Sequence, residues 1–151
     1  FGFCCGIKMD RYECFFNVDY ENFAWQYVNS GAFIMSDGKV YKYRFTERSD
    51  NNRDLEYKFK NSRYVKTVST QKLQELCQKL HQVSHLDYKT KHTAHDAGST
   101  VFNGYMDGQE IKLGQSGDST GVNEETRPLV EELARITGFE FYIIPPHFYK
   151  R

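Results

Sequence analysis

The stretch Asn29-Ser30-Gly31-Ala32-Phe33-Ile34-Met35-Ser36-Asp37-Gly38-Lys39-Val40-Tyr41-Lys42-Tyr43-Arg44-Phe45 decides the fold. Two strand-like runs, Gly31–Ser36 and Lys39–Phe45, meet at Asp37-Gly38. Asp-Gly suits a two-residue hairpin loop, because both central residues need φ > 0, which Gly adopts freely and Asp tolerates. The same device recurs at Asp107-Gly108, between Ser99–Met106 and Gln109–Leu113. The two hairpins predict an α+β fold: an antiparallel sheet from two Asp-Gly β-hairpins, with two α-helices packed on one face.

The helices are read from period and caps. After Ser69 or Thr70, the apolar residues Leu73, Leu76, Cys77, Leu80 and Val83 fall on one helical face, predicting a helix to about His85. Pro128 suits the first turn of a second helix that buries Leu129, Val130, Leu133 and Ile136 and ends at Gly138. Tyr12–Asn17 and Arg63–Val68 read as strands, and Phe139–Ile144 as a last strand stopped by Pro145-Pro146. Asp19–Ser30 is ambiguous, with Phe23, Trp25 and Tyr27 alternating. Residues 46–61 are charged and Asn-rich and read as a long exposed loop, 92–98 as a loop, and 114–121 as a polar loop. At 151 residues the chain fits one domain, 23–151, preceded by an N-terminal extension or first strand, 1–22. Twelve Phe and eleven Tyr favour strands over a helix bundle.

Charge excludes one class of partner and suggests another. Twenty basic residues balance twenty acidic ones, so general affinity for nucleic acid is not expected. The distribution is uneven. From Lys39 to Lys66 nine basic residues stand against four acidic ones, a net of +5. From Asp96 to Glu132 eight acidic residues stand against two basic ones, a net of −6. Such a bipolar chain either carries balanced solvated faces or presents one charged patch to a partner. The residues expected to meet that partner are Tyr41, Lys42, Tyr43 and Arg44 on the basic side, with Asp118 on the acidic side.

Catalytic signals are sparse. His81 and His85 lie i, i+4 on the first helix, with Cys77 a turn earlier and His92, His95 and Asp96 after it. Zinc wants three or four such ligands converging, so His81, His85, His92 and His95 form the alternative reading, a metal-binding protein or metal-dependent enzyme. Against it, the Glu of His-Glu-x-x-His is missing, and residues eight apart diverge by roughly 80° around a helix. The glycine-rich run Gly114–Gly121 lacks a P-loop lysine. No Gly-x-Ser-x-Gly elbow supplies a strained nucleophile. The expectation is therefore no catalytic residue and no cofactor.

The four cysteines and the first residues bear on address. Phe1-Gly2-Phe3-Cys4-Cys5-Gly6 fits the end of a signal-peptide apolar region with a lipid-accepting Cys, a first strand, or a junction sequence. In an exported protein four Cys allow three pairings; adjacent Cys4 and Cys5 rarely bond each other, so Cys4–Cys14 or Cys5–Cys14 is expected, with Cys77 a buried free thiol. No stretch reaches the roughly 18 apolar residues that span a bilayer as a helix.

Several short motifs recur together: Trp25-Gln26-Tyr27-Val28-Asn29-Ser30-Gly31, Ser36-Asp37-Gly38-Lys39-Val40-Tyr41, His95-Asp96-Ala97-Gly98-Ser99 and Leu113-Gly114-Gln115-Ser116-Gly117-Asp118, with Asn123 before the last helix. Over roughly residues 23–137 the chain resembles a family of small uncharacterised bacterial lipoproteins. The resemblance implies an exported or cell-envelope address, with membrane attachment through an N-terminal lipid, and assigns no site residue. Together these readings predict a non-enzymatic protein-binding domain of the bacterial envelope, of the kind that serves as an immunity or inhibitor protein.

Overall fold

A computed structural model of the chain describes residues 6–9, 11–23, 26–85, 98–117 and 124–139. Seven strands form one sheet: β1 (Ile7–Met9), β2 (Tyr12–Asn22), β3 (Val28–Met35), β4 (Lys39–Phe45), β5 (Arg63–Thr67), β6 (Ser99–Met106) and β7 (Gln109–Gly117). The order is β5-β4-β3-β2-β6-β7, and every paired neighbour is antiparallel. β1 pairs with the start of β2, beyond the reach of β6. The α+β class and its antiparallel sheet are as the sequence predicts.

The two Asp-Gly turns differ. At the second, Asp107 (φ 53°) and Gly108 (φ 76°) are both left-handed, and Met106 pairs with Gln109, the expected two-residue loop. At the first, only Gly38 has positive φ (87°). Gly38 N–H donates to the Met35 carbonyl at 2.9 Å, so Ser36 and Asp37 turn and Gly38 absorbs the extra residue before Ile34 pairs with Val40. That is a three-residue loop with a glycine bulge, fixed by Asp37 Oδ1, which accepts the Lys39 N–H at 3.0 Å.

Two helices lie on one face, as expected. α2 (Thr70–Val83) is capped by Ser69, whose hydroxyl accepts from Lys72 N–H at 3.1 Å. α3 (Arg127–Thr137) starts at the proline and ends at Gly138 in the left-handed conformation (φ 79°). Their apolar stripes bury against Phe16, Val18, Ala32, Ile34, Val40 and Phe102.

The opposite face holds what the sequence reading missed. Within the expected loop 46–61 lie a 3-10 turn (Asp50–Arg53) and a short helix, α1 (Leu55–Lys60). Leu55 and Phe59, one helical repeat apart, pack onto Phe33, Met35, Tyr43 and Tyr105 in a second cluster. A single i, i+4 pair among charges is too short a signal to separate from a loop.

Other boundaries moved for similar reasons. β2 runs eleven residues, not six, and is paired on both sides, so residues 12–22 belong to the same sheet as the rest. The ambiguous Asp19–Ser30 divides into the end of β2 and the start of β3. β7 continues through Gly117, four residues past Leu113, because a bulge opposite Phe102 and Asn103 restores its register. Of the predicted last strand and the 92–98 and 114–121 loops, residues 140–144, 92–97 and 118–121 lie outside the described residues.

Candidate functional site

A strand points successive side chains to opposite faces, and in β4 this divides the expected binding patch. Tyr41, Tyr43 and Phe45 join the cluster under α1, whereas Val40 packs toward α2 and α3. Lys42 and Arg44 share the side of Val40. The two tyrosine rings and the two cations thus leave β4 on opposite faces, although Tyr43 also borders the concavity that Lys42 and Arg44 line.

Lys42 and Arg44 do meet other groups. They line an open concavity of about 500 Å³ with Ser30, Asn61, Ser62 and Arg63. Lys42 and Arg63 are register partners across β4 and β5, which brings the third cation alongside. The C-terminal end of α3 closes one side: Lys42 Nζ lies 5.7 Å from the Phe139 ring centroid. A helix C-terminus carries partial negative charge, which favours a lysine there. Among the described residues no carboxylate lies within 4.0 Å of Lys42, Arg44 or Arg63. Three cations therefore face solvent from one hollow.

On the α1 face one polar cluster is bonded internally, around Asp19. Asp19, Gly31 and Tyr43 are lateral neighbours on β2, β3 and β4. Gly31 has no Cβ, so the Tyr43 ring lies across it and its hydroxyl donates to Asp19 Oδ1. Asp19 also accepts from Lys58 Nζ at 3.0 Å and from Asn29 Nδ2 at 3.0 and 3.1 Å. Asn17 Nδ2 donates to the Ala32 carbonyl at 3.0 Å and to the Tyr43 hydroxyl at 3.3 Å. Tyr43 is buried, and burial, then the charge of Asp19, holds its phenol well above the usual pKa. It is neither exposed to a partner nor suited to act as a base. Lys58 comes from α1, so this cluster clasps the 46–62 excursion onto the sheet.

Sequence reasoning missed Asp19, Asn17, Asn29, Lys58 and Arg63. A signal was present for two of them. In Phe16-Asn17-Val18-Asp19-Tyr20 the polar residues alternate within an apolar strand that has neighbours on both sides, a pattern that demands polar partners. Lys58 and Arg63 carry no such mark among the many cations near them.

The expected metal ligands divide as follows. His81 and His85 are exposed on and just beyond the end of α2, and Cys77 is buried on its apolar stripe. Among the described residues no three His, Cys, Asp or Glu side chains are placed to hold a metal ion. His92, His95 and Asp118 lie outside the described residues, as does Cys5. Cys14 is a buried free thiol whose Sγ donates to the Phe16 carbonyl at 3.2 Å. Burial pushes its pKa far up, so it stays a thiol. Among the described residues no helix is long and apolar enough to cross a membrane. Comparisons with family models, with curated proteins and with solved structures found no match.

Proposed function

We propose that this chain is a protein-binding domain that receives an acidic surface of its partner in the basic hollow at the β4–β5 edge. The observation that carries this reading is the convergence of Lys42, Arg44 and Arg63 on one concavity, with no carboxylate within 4.0 Å among the described residues. Like charges in a hollow repel one another at a cost to the fold, and a concave wall focuses their field on an incoming anion. The gain is faster and more selective association with an acidic partner. An immunity or inhibitor role in the bacterial envelope is the setting we infer with it, supported by the family resemblance, the small size and the bipolar charge.

The test is fluorescence anisotropy with a labelled Asp/Glu-rich peptide. The native chain binds it, and raising NaCl from about 50 to about 300 mM weakens binding, as screening requires. The triple variant Lys42→Glu/Arg44→Glu/Arg63→Glu loses binding, whereas Lys79→Glu, exposed on α2, leaves it unchanged. Absence of salt-sensitive binding, or equal loss in the Lys79→Glu control, overturns the reading.

A further inference from the structure

A second cavity lies on the α1 face, apart from the basic hollow. It is a half-open concavity of about 270 Å³, lined by Met9, Tyr12, Tyr41, Glu56, Phe59 and Lys60. Phe59 of α1 stands between Tyr12 of β2 and Tyr41 of β4, with ring centroids 5.1 and 5.0 Å away. The interplanar angles are 52° and 70°, so the rings tilt against one another instead of stacking. All three line the same space, and buried Met9 adds a polarisable thioether to the lining. Glu56, a turn before Lys60 on α1, places a carboxylate in the same wall.

Aromatic faces are electron-rich, and several around one space attract a desolvated cation, most of all a quaternary ammonium. Two facts show that this capacity is unspent among the described residues. Lysine or arginine lies over Phe139, Phe23 and Tyr43, but over none of Tyr12, Tyr41 and Phe59. Glu56 likewise has no basic side chain within 4.0 Å. The volume is below the roughly 300 Å³ at which drug-sized pockets begin, which suits a head-group-sized ligand. We propose that this cavity binds a small quaternary ammonium group, held by the faces of Tyr12, Tyr41 and Phe59 and neutralised by Glu56. Lys60 on the rim opposes it electrostatically and limits its affinity.

The experiment is a ¹H–¹⁵N NMR titration of the full chain with choline, with its neutral isostere 3,3-dimethylbutanol, and with phosphatidylcholine vesicles. Choline shifts the amides around Tyr12, Tyr41 and Phe59 with a dissociation constant of about 1 mM, and the isostere binds about tenfold more weakly. Tyr12 is half exposed (47%), so Tyr12→Leu leaves the fold intact by thermal melting while weakening choline about threefold. Glu56→Gln weakens it similarly, and Lys60→Met tightens it. Binding of choline alone identifies a soluble ligand, and binding of the vesicles as well identifies a lipid head group. Equal affinity for choline and its isostere, no effect of Tyr12→Leu, or no response to either choline or vesicles overturns the proposal.

Discussion

Replacing Gly31 by Ala tests how the sheet, the tyrosine and the carboxylate depend on one missing methyl group. A Cβ at Gly31 would stand well inside van der Waals contact of the Val18 carbonyl oxygen and the Tyr43 hydroxyl, and 2.5 Å from Tyr43 Cζ. The carbonyl belongs to the paired strand and cannot yield without opening the ladder, so the Tyr43 ring must lift. Overpacking of this kind costs about 1–3 kcal/mol. Lifting the ring also breaks a hydrogen bond to a charged acceptor, which is worth about 1.5–3 kcal/mol. The expected loss is about 3–5 kcal/mol, or a fall in Tm of about 10 °C for a chain of this length. Urea unfolding followed by circular dichroism measures it. A double-mutant cycle identifies the cause. Tyr43→Phe alone costs about 2 kcal/mol, but close to nothing in the Gly31→Ala background, where the hydroxyl has already left Asp19. A loss below about 1 kcal/mol for Gly31→Ala, or strictly additive effects of the two changes, would refute the account of Gly31 as the seat of Tyr43.

Lys58→Met removes the cation of a pair whose side chains are only 10% and 20% exposed. Asp19 keeps Tyr43 and Asn29, so the loss is about 2–3 kcal/mol, below the value for a fully orphaned buried charge. It should appear in hydrogen exchange as faster opening of α1 than of β2; uniform acceleration contradicts the clasp. Glu132 bonds Arg135 and sits 2.8 Å from Lys72 Nζ, and these bonds hold its pKa down at about 2. A depressed carboxylate stabilises the fold above its unfolded value of 4.5 and loses that contribution as pH falls from 4.5 toward 2. Glu132→Gln therefore flattens the acid limb of the stability curve by about 1 kcal/mol or less, since the pair is near solvent; an unchanged limb contradicts it. Cys14 should resist iodoacetamide at pH 8 in the folded chain and react only on unfolding, as read by peptide mass spectrometry, because burial suppresses its thiolate. Labelling at the rate of a solvent-exposed thiol contradicts that.

What was legible in the sequence had a period or a cap. The stripe of α2 and the alternation of β4 repeat a signal several times within one element, and Pro128 and Gly138 mark the two ends of α3; the structure follows them. α1 was not legible because six residues carry only one such repeat, Leu55 to Phe59, and its helical state depends on packing against Phe33 and Tyr43. The first Asp-Gly loop misled in a different way. The dipeptide permits the two-residue turn, yet the register of Ile34 on Val40 leaves room for three residues, so only glycine needs positive φ. Local chemistry allows several turns, and strand pairing selects among them.

The same pairing decides what the charge count means. The net of +5 between Lys39 and Lys66 counts nine cations as one group, but the pleat and the α1 excursion sort these cations by environment. Lys58 is turned inward and bonded to Asp19, Lys39 lies 3.9 Å from Asp37, and Arg48 lies over the Phe23 ring. Lys42, Arg44 and Arg63 are left in the hollow, on the opposite face of the sheet from the Asp19 cluster. Arg53, Lys60 and Lys66 are exposed as well, but of these cations Lys42, Arg44 and Arg63 are the ones that line the hollow. The tyrosines that alternate with Lys42 and Arg44 in β4 serve the other face, where Tyr43 is bonded to Asp19 and Tyr41 borders the aromatic cavity. One seven-residue strand thus supplies two chemically different surfaces. A substitution at an odd-numbered position of β4 should be read against α1, and one at Lys42 or Arg44 against the basic hollow, because the sheet itself stands between them.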